Sequence, residues 1–130
     1  MPNQGTAANV AVAYYNAWTE GRIDDAVALL SEDLVVDAPR AGHVVGAQDY
    51  RGVLEEYLGI LTGSSLIAAH GDENTALVHY DNETKLVAHA PTTEYLEVSG
   101  GKISYIRIIF DRTPFEAARA LLASGSEAKP

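Results

Sequence analysis

Apolar residues recur every three to four positions through the first sixty residues, then every second position from Ser65 onward. That switch predicts helices first and strands after. "AANVAVAYYNAWTEG" reads as a helix with Val10, Tyr14, Ala17 and Trp18 on its apolar stripe and Gly21 as its stop. "IDDAVALLSED" reads as a short second helix, capped by Asp24, with Ala26, Val27 and Leu30 buried. "LVVD" predicts a brief strand ended by Pro39, and "PRAGHVVG" a loop. "AQDYRGVLEEYLGIL" predicts a third helix with Tyr50, Val53, Leu54, Tyr57, Leu58 and Leu61 on one face and Gly63 just past its end.

The second half reads as a meander. "SLIAAH" is a strand, "GDEN" a solvated hairpin turn and "TALVHYDNETKLV" a long strand. "AHAP" turns the chain into "TTEYLEV", and "SGG" turns it again into "KISYIRIIFD". Short connections of this kind imply antiparallel pairing. "TPFEAARALLA" closes the chain as a helix, with Thr113 as cap, Pro114 at its first position and Glu116 completing a capping box. The expected organisation is an N-terminal arm over 1–8, one α+β domain over 9–123 with helices against one face of the sheet, and a disordered tail over 124–130.

Composition narrows the function without naming it. The 130 residues carry a net charge of -9, the wrong sign for nucleic acid or an anionic membrane surface. There is no cysteine, hence no disulfide, thiol nucleophile or thiolate metal site. The four histidines show no chelating spacing, and no metal or cofactor is expected. No phosphate loop, dinucleotide fingerprint or nucleophile elbow appears. "MPNQGTAANV" has no basic, apolar leader pattern, and no apolar run reaches spanning length, so the expectation is a cytoplasmic protein.

"YYNAWTEGRIDDAVALLSEDLVVDAP", the glycine-led helix from Gly46 and the ending "EYLEVSGGKISYIRIIFD" resemble the nuclear transport factor 2-like superfamily. That group includes ketosteroid isomerases, limonene epoxide hydrolases and SnoaL-type polyketide cyclases. The resemblance implies a cone, a curved antiparallel sheet wrapped around three N-terminal helices, with a short C-terminal helix and a largely apolar pocket. It also implies a homodimer through the outer face of the sheet. Neither known catalytic set carries over. Ala38 stands where the isomerases keep their base, with Asp37 one place earlier and turned to the other face, in reach of Arg107 or Arg40. Ile108 stands where the epoxide hydrolases keep an aspartate, and their Arg-x-Asp falls over Asp81 and Glu83. Tyr14 matches the isomerases' oxyanion-hole tyrosine, and Glu94 falls near their second oxyanion donor.

By the same resemblance Ile106, Ile108 and Phe110 wall the pocket, together with Glu94, Leu96 and Val98, and with Leu77, His79, Asp81 and Glu83. Val78, Tyr80, Asn82 and Thr84 would then lie outside with Thr93, Tyr95, Glu97, Ile103, Tyr105, Arg107 and Ile109. Two registers stay open, one setting Glu94 opposite Glu83 and one opposite Lys85. The expected function is a cofactor-free acid–base enzyme on a small hydrophobic molecule, of isomerase, cyclase, dehydratase or epoxide hydrolase type. Asp81 would be the base, His79 its relay, and Tyr14 and Glu94 the groups at the oxyanion. Trp18, Leu54, Tyr57, Leu96, Ile106, Ile108 and Phe110 would hold the substrate. The alternative is a non-catalytic module that binds a small molecule or assembles as a dimer.

Overall fold

Small residues on one stripe of the first helix decide where it can sit. Ala7, Ala8, Ala11 and Ala17 are buried beside Tyr14, Tyr15 and Trp18 on α1 (Thr6–Thr19). With so little bulk on that stripe, α1 lies in the hollow of the sheet and packs against four of its strands. A computed structural model describes residues 6–128. Residues 1–5 of the expected arm and 129–130 of the expected tail lie outside them. After α1 come α2 (Ile23–Ala28), β1 (Leu30–Ala38), β2 (Gly42–Val45) and α3 (Ala47–Leu58). Then follow β3 (Leu61–Gly71), β4 (Thr75–Thr84), β5 (Ala90–Ser99), β6 (Lys102–Ile109) and α4 (Thr113–Ala128).

The fold is α+β: one curved, unclosed six-stranded sheet in the order β2-β1-β6-β5-β4-β3, with α1, α2 and α3 against its concave face. Every neighbouring pair is antiparallel except β1 with β6, which run parallel. β1 begins at Leu30, inside the stretch that reads as helix, because Leu30 pairs with Ile103 before the register shifts ahead of Val35. The expected loop "PRAGHVVG" contains β2, which pairs Val44 with Val36 and His43 with Asp37. α3 stops at Leu58, with Gly59 as its C-cap, and β3 already starts at Leu61. α4 runs through Ala128, so much of the expected tail is helical, and its first amide, that of Thr113, donates to Asp111 Oδ1 at 2.9 Å.

The decisive departure is the phase of β4. The strand ends at Thr84, where the side chain turns the backbone: Thr84 Oγ1 accepts from the amides of Leu86 at 3.1 Å and Val87 at 2.8 Å. The connection is therefore longer than "AHAP", and β4 pairs with β5 in neither expected register. Val78 faces Glu94 and His79 faces Thr93. Ala76, Val78, Tyr80, Asn82 and Thr84 are buried on the concave side, the reverse of the expectation. Leu77, His79, Asp81 and Glu83 take the convex side. Ile103 is also corrected, from outside to fully buried, because a register shift between Glu97 and Val98 turns it inward. Gly100 and Gly101, at φ 59 and 78, supply the left-handed turn between β5 and β6 that other residues adopt only with strain. Among the described residues no helix is long and apolar enough to cross a membrane.

Candidate active site

An open cleft of about 940 Å³ lies between α3, the concave sheet and the start of α4. Its polar floor is β4 and β5: Tyr80 and Asn82 from one, Thr92 and Glu94 from the other. Trp18 of α1 and Tyr50, Leu54 and Tyr57 of α3 form the opposite wall. Ile108, Phe110 and Phe115 stand toward the mouth, where the two phenylalanine rings meet edge to face at 5.6 Å. The rim carries three arginines: Arg112 contacts Glu116 at 2.7 Å, Arg40 lies 3.9 Å from Glu56, and Arg119 has no ion pair among the described residues.

Glu94 is the unusual group. Its side chain belongs to a residue only 2 % exposed, and among the described residues its carboxyl accepts one hydrogen bond, from the Tyr80 hydroxyl. No lysine, arginine or histidine pairs with it there. Burial penalises its charged form and pushes its pKa up to about 7, a rise that the Tyr80 hydrogen bond only partly offsets. Tyr80 is pushed up in turn, first by burial and then by the neighbouring Glu94 charge.

Two tyrosine hydroxyls on the α3 wall are held as acceptors, one from behind by Tyr14 and one from the floor by Asn82. Tyr14 donates to the Tyr50 hydroxyl at 3.4 Å, and Asn82 Nδ2 donates to the Tyr57 hydroxyl at 3.0 Å. Asn82 is itself fixed by Ser64, whose hydroxyl donates to Asn82 Oδ1 at 2.7 Å and lies 2.6 Å from the Tyr15 hydroxyl. Tyr50 and Tyr57 each keep their own proton for another acceptor. Burial raises the pKa of both, so they stay protonated in the neutral range. The Trp18 indole N–H is buried with no hydrogen-bond partner among the described residues.

The sequence-derived candidates divide cleanly. Glu94, Trp18, Leu54, Tyr57, Ile108 and Phe110 are brought together in the cleft. Leu96 and Ile106 are fully buried in the core and do not line it. Tyr14 is buried against Tyr50, behind the wall. Asp81 and His79 are misplaced in the expectation: both lie on the convex face, away from the cleft. Asp81 accepts from the Ala90 amide at 2.9 Å and contacts His89 Nδ1 at 2.8 Å, while His79 Nδ1 lies 2.9 Å from Thr93 Oγ1. Asp37 also faces outward, bonded to His43 at 2.7 Å and Tyr105 at 2.8 Å with Arg107 at 3.9 Å, whereas Ala38 lines the cleft. Sequence reasoning missed Tyr80, Asn82, Thr92 and Tyr50 as site residues. The signal for the first two was present, since they share strand parity with the apolar Val78. Among the described residues no three His, Asp or Glu side chains gather as a metal-binding group.

Comparison with known proteins agrees with this architecture. A crystal structure from Kribbella flavida DSM 17836 is 45% identical with a TM-score of 0.89, covering 92% of this chain and 98% of that one. A Cytophaga hutchinsonii NTF2-like protein of unknown function superposes with a TM-score of 0.75 at 18% identity, over 89% of this chain and 99% of that one. A Mycobacterium tuberculosis LEH-like epoxide hydrolase does so with a TM-score of 0.73 at 17% identity, over 99% and 100%. At those lower identities the likeness is one of fold. No curated protein matches the chain at a significant level. The SnoaL-like domain model matches residues 11–106, most of the chain and all of the cleft's floor: this protein belongs to the SnoaL-like family within the NTF2-like fold.

Proposed function

We propose that the protein is a cofactor-free acid–base enzyme acting on a small, largely hydrophobic molecule held in the cleft. The observation that carries this reading is Glu94, a buried carboxyl without a cationic partner among the described residues, at the floor of a cavity whose inner walls are mainly aromatic and aliphatic. A carboxyl so placed changes protonation state near neutral pH, the condition under which a general acid or base is most effective. In its ionised form Glu94 takes a proton from the substrate, and in its neutral form it returns one to a neighbouring atom. Tyr50 and Tyr57, each with a proton free to donate, stabilise the negative charge that builds on a substrate oxygen. Trp18, Leu54, Ile108 and Phe110 exclude water and hold the apolar part of the substrate. Glu94 and the α3 tyrosines thus take the roles first given to Asp81, His79 and Tyr14.

The test is deuterium incorporation. Small ketones and epoxides of fewer than a dozen or so carbons, incubated with the protein in heavy water, are read by mass spectrometry; the reading requires exchange or turnover that Glu94→Gln removes. Exchange that persists in that variant would sink it. Asp81→Asn serves as the contrast. Because Asp81 bonds the loop after β4 and not the cleft, the variant is expected to keep kcat/KM within about two-fold while losing about 1 kcal/mol of stability in urea titration.

A second reading, binding without turnover, draws on Ala38 and Ile108, two cleft positions with no chemistry to offer. It predicts ligand binding with no deuterium exchange in any substrate class. On the convex face, Leu77 and Ile109 are 51% and 57% exposed beside the packed Tyr95–Tyr105 rings. That apolar exposure supports a homodimer through this face. Sedimentation equilibrium at micromolar concentration should return twice the chain mass of 13.9 kDa, and a monomer would reject the dimer.

A further inference from the structure

We propose that the cleft selects lipophilic amines, bound as ammonium ions between the Glu94 carboxylate and the rings of Trp18, Tyr57 and Tyr80. The inference deepens the reading above and rests on it in one respect, that this cleft is where the substrate binds. Its grounds are the charge and the walls. A buried carboxylate must be paired or protonated, and among the described residues nothing supplies a cation to Glu94. The missing partner therefore has to come with the ligand or be a proton.

The aromatic side chains suit a cation. Trp18 sits with its ring centre 6.0 Å from both Tyr57 and Tyr80, inclined to them at 61° and 69°. All three rings and Glu94 line the same cavity. The rings pack edge to face on one another, and together with Glu94 they put π electrons and a negative charge on the lining of one cavity, a composition that favours ammonium recognition. A neutral amine entering beside the neutral acid can take its proton: the Glu94 O–H bond breaks, the N–H bond forms, and the ion pair arises in place. Neither partner then has to leave water as an ion. The net charge of -9 favours the approach of a cation as well. At the rim Arg112 and Arg40 are offset by Glu116 and Glu56, while Arg119, which also lines the cleft and has no ion pair among the described residues, sets one positive charge against it.

Calorimetry with the full chain tests this using probes of one shape. 2-Phenylethylamine is expected to bind at least about ten-fold more tightly than 2-phenylethanol, and phenylacetate more weakly than either. Glu94→Gln should bring the amine to within about two-fold of the alcohol, because what it removes is the charge and not the apolar walls. The ranking in the wild-type protein decides the matter even if that variant does not fold. Equal or tighter binding of the alcohol, or no binding of any of the three probes, overturns the proposal. Glu94-dependent deuterium exchange without amine preference would overturn it and leave the acid–base reading standing; amine preference without turnover would do the opposite.

Discussion

Glu94→Gln is expected to lower kcat/KM by about 10³, whichever substrate proves to be turned over. Glutamine has nearly the same shape, and its carbonyl oxygen can still accept the Tyr80 hydroxyl, so the floor of the cleft is retained. What it lacks is a group that ionises near neutral pH and can take up or give back a proton. A loss of that size corresponds to about 4 kcal/mol of transition-state stabilisation. The pH profile carries the mechanistic content. If Glu94 acts as the base, kcat/KM of the wild-type protein rises as pH increases through about 7, where its carboxyl ionises in the folded protein. If it acts first as the acid, kcat/KM falls over the same interval. A profile flat from pH 5 to 9, or a variant as active as the parent, removes Glu94 from the chemistry.

The residues that made the fold legible are those with local signals. Tyr14, Ala17 and Trp18 mark a helical face through spacing alone and are buried together, with Val10 of the same stripe half-buried against them. Glu94 was legible as an inward residue because Leu96 and Val98 share its parity on β5. The phase of β4 required more. Val78 and Tyr80 are apolar while His79, Asp81 and Glu83 are charged, so simple burial preference already set the correct face inward. The expectation went the other way because pocket walls were placed by resemblance to relatives, and because the Thr84 turn, which sets the register, has no strong sequence mark. Alternation guarantees that one residue of error exchanges the two faces completely. The Tyr14–Tyr50 and Asn82–Tyr57 contacts join residues 36 and 25 positions apart, and no local pattern announces them.

Stability should carry the mark of Glu94 independently of any substrate. Its folded pKa of about 7 stands above the ordinary 4.5, so between these values the folded chain binds more protons than the unfolded chain. Stability linked to this group is then complete below about pH 4.5, falls as pH rises, and is lost once pH passes about 7. The loss is on the order of 3 kcal/mol across that window, a large fraction of what holds a small domain folded. Asp37, Asp72 and Asp111 have the opposite sign. Their pKa values are lowered by hydrogen bonds, from His43 and Tyr105 on the first and from backbone amides on the others, so they withdraw stability only in acid. Comparison with Glu94→Gln cancels those contributions, since the variant shares every other carboxylate. Urea titrations at pH 5 and pH 8 should therefore show the variant gaining about 2.5 kcal/mol on the parent between the two conditions. A difference that stays constant would mean that Glu94 ionises as it does in water. The floor of the cleft would then be wet, and a carboxylate solvated there would have little reason to act either as a base or as a counter-ion.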